Sequence, residues 1–165
     1  MISSAPHPHL LLWDLLSSAD PELAPIAPGA RAHPEALLRD SVRRELGLLF
    51  NSTALGAVQT LESHAHAARS TLNYGLPDLA GKTASSIDGP WLERQLARAI
   101  RDFEPRLHPE SVRVTIAPQR ASTHNILCFE IDAVLTSNPD AEPIRLDTEL
   151  DLESGSARIV ERARA

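Results

Sequence analysis

Glu104, Pro105 and Arg106 set a carboxylate and a guanidinium on either side of one proline, and charges so close can act on a substrate or on a partner. Taken alone, such a pair at a helix terminus reads as two solvated side chains. A glycosidase would use Glu104 as its general acid, yet that reaction needs a second placed carboxylate, and spacing singles out none. The run Gly75-Leu76-Pro77-Asp78-Leu79-Ala80-Gly81-Lys82-Thr83 ends like a phosphate-binding loop. It departs from one because five residues separate its glycines where four are required, and because a helical pattern precedes it where a buried strand should.

The seven histidines do not assemble a metal site by spacing. His64 and His66 would point about 200° apart around a helix, and His7 and His9 fall in a proline-rich N-terminal stretch. With no Cys pair and no His-Glu-x-x-His, no metal is expected. Cys128, between Leu127 and Phe129, reads as a core thiol. No Gly-x-Ser-x-Gly elbow anchors a hydrolase triad. The expectation is therefore a chain with no catalytic residues, no cofactor and no small-molecule substrate.

The elements that would position these residues follow from hydrophobic period. Leu38, Val42, Leu46 and Leu49 recur at helical spacing and predict a helix over 34–50. Val58, Leu61, Ala65, Ala68 and Leu72 keep the same rhythm and predict a second over 57–72, stopped by Asn73-Tyr74-Gly75-Leu76-Pro77. A third is predicted over 90–103, with Leu92, Leu96, Ala99, Ile100 and Phe103 in one stripe, Asp88 as its cap and Pro105 ending it. The period then drops to two. Val112, Val114 and Ile116 mark one strand, Leu127 to Leu135 a second, Ile144 to Leu152 a third, and Glu153-Ser154-Gly155-Ser156 turns into a short fourth near Arg158 to Val160. The other face of the third strand is Arg145, Asp147, Glu149, Asp151 and Glu153, which must meet water or a basic partner. The fold class is α+β, with about three N-terminal helices on one face of a C-terminal antiparallel sheet of three to four strands.

The 165 residues suit one domain, and 42% hydrophobic with 23% charged residues excludes general disorder. Residues 1–33 read as a flexible arm, with the apolar cluster Leu10, Leu11, Leu12, Trp13, Leu15 and Leu16 followed by Pro21, Pro25 and Pro28, and residues 34–165 as the domain. A net charge of -6 has the wrong sign for a surface that neutralises phosphates, so nucleic acid is set aside. Lys82 is the only lysine, and a cation set that is otherwise arginine favours protein partners. The lone Cys128 forms no disulfide within the chain. No basic leader precedes Leu10, Asp14 interrupts the first apolar run, and nothing reaches the length of a membrane span. A soluble cytoplasmic protein is expected.

Several runs in order resemble one family. Leu37-Leu38-Arg39-Asp40-Ser41-Val42-Arg43-Arg44-Glu45-Leu46, Ser70-Thr71-Leu72-Asn73-Tyr74-Gly75-Leu76-Pro77-Asp78-Leu79, Phe103-Glu104-Pro105-Arg106-Leu107, Phe129-Glu130-Ile131-Asp132-Ala133 and Leu150-Asp151-Leu152-Glu153-Ser154-Gly155 are similar to the TssE proteins. These are baseplate subunits of type VI secretion systems, related to the phage wedge protein that starts the tail sheath. The resemblance spans about residues 10–161. It implies a non-catalytic subunit held by the wedge proteins TssF, TssG and TssK, whose sheet receives strands from the sheath proteins TssB and TssC. It implies that Glu104, Pro105 and Arg106 dock into the baseplate, and that Leu11, Leu12, Trp13, Leu15 and Leu16 dock on another wedge subunit. If those charges face a partner, Glu104→Ala and Arg106→Ala should leave the fold largely intact. The lysozyme-like label attached to this family keeps a muramidase as one alternative. An anti-adaptor of proteolysis sharing the fold is another.

Overall fold

The computed structural model of the chain describes residues 34–117, 125–136 and 143–161. Helix α1, Pro34–Phe50, forms where the apolar period is strongest. Its Leu38, Val42, Leu46 and Leu49 are all buried, while Arg43 and Asp40 pair on the solvent side at 3.2 Å. Starting on proline suits a helix, because the first turn has no partner for that residue's amide.

The long second helix expected over 57–72 is corrected here. In its place are a 3-10 turn at Leu55–Ala57, a single α turn, α2, at Ala65–Ala68, and a 3-10 turn at Thr71–Asn73. Its apolar stripe had nothing to bury against, since Val58 and Leu72 are 78% and 69% exposed. Side chains also bond the local backbone in competition with a helix. The Asn73 carboxamide accepts from Gly56 N and donates to Ala68 O, each at 2.8 Å, and Ser70 Oγ accepts from Leu72 N.

Leu76 then pairs with Thr53 in a short parallel bridge. Gly75 makes that approach possible. Its φ is +126°, and a Cβ there would overlap the Ser52 carbonyl, so no other residue fits.

Helix α3, Gly89–Phe103, is capped by the Asp88 carboxylate accepting from Trp91 N at 3.4 Å. It buries Leu92, Leu96, Ala99 and Ile100. Pro105 restricts Glu104 to φ -119°, ψ 81° and ends the helix.

Strands β1 (Arg113–Ile116), β2 (Ile126–Ala133), β3 (Ile144–Asp151) and β4 (Ala157–Glu161) follow. They pair in sequence order as an antiparallel meander. Gly155, at φ +73°, turns the last hairpin, and its N–H donates to Asp151 O at 2.8 Å. The Asp151 carboxylate holds that turn by accepting from Glu153 N and Ser154 N.

Leu127, Phe129 and Ile131 of β2, Ile144, Leu146 and Leu150 of β3 and Ile159 of β4 join the stripes of α1 and α3 in one apolar cluster. Phe50 meets Phe129 edge to face at 5.7 Å. This is the α+β arrangement expected, with helices first and the sheet after. Cys128 is corrected: period two puts it on the opposite face from Phe129, half-buried beside Glu149, and not in the core.

One core position is polar. Thr148 lies between Phe129 and Ile159 in register, is 1% exposed, and its hydroxyl has no hydrogen-bond partner. A buried unpaired hydroxyl costs about 1–3 kcal/mol. Thr148→Val keeps the shape and removes the polar atom. It should stabilise the protein by about 1 kcal/mol in denaturant unfolding; a loss of stability would mean the hydroxyl is satisfied.

Candidate functional site

The Glu104-Pro105-Arg106 turn leaves the end of α3 and enters the core side of the sheet. Glu104 is 3% exposed. Its carboxylate takes both prongs of the Arg106 fork: Nε donates to Oε1 at 2.7 Å and Nη2 to Oε2 at 2.5 Å. Arg106 N also donates to Oε1 at 3.2 Å. The remaining prong, Nη1, donates to Ser41 Oγ of α1 at 2.7 Å, and Ser41 is itself buried. Main-chain bonds complete the joint. Thr136 N donates to Arg106 O at 2.7 Å and His108 N to Val134 O at 2.8 Å, so the turn pairs with the chain leaving β2. One ion pair thus ties the end of α3, the middle of α1 and the exit of β2.

The two charges face each other, not solvent. The expectation that either could be removed at little cost to the fold is therefore revised. Burial makes their contact obligatory, because a carboxylate or guanidinium out of water needs its partner. Pro105, by contrast, is exposed. It is the one member of the motif that presents its side chain outward.

Tyr74 flanks the joint. Its ring packs on Phe103 edge to face at 5.3 Å, and its hydroxyl donates to Glu45 O at 3.4 Å. Burial raises the Tyr74 phenol above its ordinary value of 10.0, and the charges of Glu45 and Glu104 push the same way. On the other side of Phe103 an open groove of about 530 Å³ runs past Leu61, Arg69, Trp91 and Arg98. Arg69 and Arg98 meet Asp102 there at 3.6 and 3.5 Å.

With both oxygens engaged by Arg106, Glu104 does not present an acid to a sugar. The Gly75–Thr83 run is committed internally as well. Gly81 N donates to Leu152 O, Ala80 N to Asp78 Oδ1 and Lys82 N to Leu79 O, the kind of amide a phosphate would need. Among the described residues no group of three His, Cys, Asp or Glu side chains could hold a metal ion. No helix among them is long and apolar enough to cross a membrane. Leu11, Leu12, Trp13, Leu15 and Leu16 lie outside the described residues.

Ser41 and Tyr74 escaped the sequence reading. Ser41 carried a signal, since a serine inside the buried stripe of an amphipathic helix must find a hydrogen-bond partner. Nothing in the sequence named that partner as Arg106, 65 positions away.

A family model described as baseplate wedge protein gp25 matches residues 36–140, well over half of the chain. The chain belongs to the baseplate wedge protein gp25 family. No curated protein matches it significantly. The gp25-family match takes in α1, the Asn73–Leu79 turn, the Glu104–Arg106 joint and the first two strands. It supports a structural role in a baseplate.

Breaking the pair from one side leaves a buried ion alone. Glu104→Ala and Arg106→Ala should each cost about 3–5 kcal/mol in denaturant unfolding. The combined Glu104→Met and Arg106→Leu variant should cost much less than the two single changes together, and additive costs would show that the charges do not interact. Tyr74 is the only tyrosine, so its ionisation can be followed by ultraviolet absorbance. Its raised folded value means that its contribution is intact below about pH 10 and is lost as pH climbs through the folded value. Tyr74→Phe should flatten that alkaline loss of stability.

Proposed function

We propose that this chain is the TssE-like subunit of a type VI secretion baseplate. It sits on wedge proteins of the TssF, TssG and TssK kind at the cytoplasmic side of the machine, and its sheet seeds the first sheath subunits, TssB and TssC, by strand addition. The family match over residues 36–140 carries this reading. The antiparallel sheet supports it, because a meander in the order β1-β2-β3-β4 ends in two border strands, and an unpaired border templates an incoming strand.

In this reading Glu104, Pro105 and Arg106 dock into the wedge through shape. The internal fork fixes the turn, and exposed Pro105 is offered to the partner. The arm bearing Leu11, Leu12, Trp13, Leu15 and Leu16 adds a second, apolar anchor, since clustered leucine and tryptophan side chains gain by leaving water. No step of this function makes or breaks a covalent bond.

Co-purification on the tagged full-length chain from its native cell should bring down wedge and sheath proteins together. Recovery of neither would overturn the proposal. Deleting residues 1–20 should lower wedge recovery about tenfold while leaving thermal unfolding unchanged. Equal recovery would remove the arm from the docking scheme. Pro105→Ala, which leaves the ion pair in place, should weaken wedge recovery more than it lowers stability.

A further inference from the structure

We infer that in the free subunit the open groove beside α3 holds the chain's own Leu10–Leu16 segment, with Asp14 set against the two arginines that share Asp102. The docking arm is thereby stored on its own domain. The storage site is argued from the groove, and it rests on the docking reading only for what takes the arm afterwards.

Helix α3 has two stripes facing the protein, and the core takes one. Leu92, Leu96 and Ile100 are fully buried, whereas Trp91, Gln95, Ala99 and Phe103, four residues apart on the next face, form one wall of the groove. A long helix opposite them would have closed that space. The chain there is instead a 3-10 turn and the single turn α2, which present Ala57, Ala65 and Ala68 as the other wall. Trp91 and Phe103 are left half-buried. The volume of about 530 Å³ between the walls is that of a pocket able to enclose several apolar groups.

An occupant of matching character is on the same chain. Leu10–Leu16, outside the described residues, sets five leucines and one tryptophan in seven positions, large where the α2 wall is small, and such side chains gain by leaving water. Residues 17–33 join the segment to α1, and these seventeen residues reach up to about 56 Å. Helix α1, with seventeen residues, is about 25 Å long, and the groove begins at Ala54, just past its end. The tether therefore suffices to bring Leu16 back along α1. A tethered occupant also meets its site at an effective concentration on the order of millimolar, which gives it precedence over free segments of other proteins.

Charge sets the orientation. Asp14 is the one charged residue within the segment, and a carboxylate entering an apolar groove needs a cation. Arg69 and Arg98 contact Asp102 on separate oxygens at 3.6 and 3.5 Å, with side chains 72% and 59% exposed. Two guanidiniums on one carboxylate leave a surplus positive charge at that cluster. The remaining ionised side chain on the groove, Glu62, precedes α2 while Arg69 follows it. Asp14 beside Arg69 and Arg98 thus gains an attraction and keeps α2 between itself and the repelling carboxylate.

The test compares the purified full-length chain with the variant lacking residues 1–20, by backbone amide exchange. The amides of Ala68, Arg69 and Ser70, which bond across the α2 turn, should exchange at least about tenfold faster in the deletion variant, with those of α1 unchanged. The deletion leaves Trp91 as the single tryptophan. Compared with full-length Trp13→Phe, which has the same single tryptophan, its emission should move to longer wavelength. Asp14→Lys should speed exchange at the α2 turn about tenfold and Asp14→Glu should not. Diluting the full-length chain about a hundredfold should change nothing, because the contact lies within one chain.

Equal exchange with and without residues 1–20, or equal Trp91 emission, would overturn storage in the groove; if the deletion still lowers wedge recovery, arm docking stands without it. Slower exchange in the full-length chain together with undiminished wedge recovery from the deletion variant would uphold storage and remove the arm from docking. Protection that fades on dilution would assign the groove to the arm of a second copy and overturn the contact within one chain. Asp14→Glu as disruptive as Asp14→Lys would overturn the role of the two arginines.

Discussion

The Glu104 carboxylate and the Arg106 guanidinium lie in a helix-to-strand turn almost closed to water, and an ion there is tolerable only with its counter-ion in contact. That constraint propagates. Arg106 must place its fork on Glu104, which fixes the turn around Pro105; its spare prong must find Ser41, which fixes α1; and its carbonyl must take Thr136 N, which fixes the chain leaving β2. Replacing the ions by hydrophobic groups of similar volume would cost little energy. What the ions add is direction, since a forked donor and a two-oxygen acceptor meet in few orientations.

The same device, a side chain finishing what the backbone leaves open, recurs through the fold. Asn73 holds the irregular segment between α1 and α3, Asn125 ties the Gly75–Thr83 loop to the sheet, and Asp151 shapes the last turn. Glu93 and Arg101 bond backbone groups at the β1 border of the sheet, and Asn51 bonds Ala157 at the β4 border. Buried or half-buried backbone groups need partners, and here carboxamides and carboxylates supply them where the chain is neither helix nor strand.

The elements with a clean period were readable from residues alone. Leu38, Val42, Leu46 and Leu49 announced α1, Asp88 and Pro105 bracketed α3, and the alternation from Val112 onward announced an antiparallel sheet of three to four strands. The stretch 57–72 misled because Val58, Leu61, Ala65, Ala68 and Leu72 keep helical spacing without a surface to cover, and period alone does not report whether a face is buried. Cys128 misled for the converse reason: flanked by Leu127 and Phe129 it looked interior, although alternation assigns it the other face. The motif Glu104-Pro105-Arg106 was visible as a motif, but its pairing and its third partner were not. Contacts across 65 positions leave no local trace beyond a serine out of place on an apolar stripe.

Docking and strand acceptance, although proposed for different parts of the surface, share one element. Helix α1 carries Ser41 at the buried joint and ends next to Asn51 at the border of β4, ten residues on, or about 15 Å along the helix axis. Leu38, Val42, Leu46 and Leu49 lock it to the same apolar cluster as β3 and β4. The spacing between the exposed proline turn and the start of β4 is therefore set by a packed helix and an ion pair. A structural subunit of a baseplate gains from that stiffness, since it keeps its surfaces at fixed positions relative to one another. The buried fork therefore acts by geometry: it fixes the turn that presents Pro105 relative to α1 and the sheet packed on it.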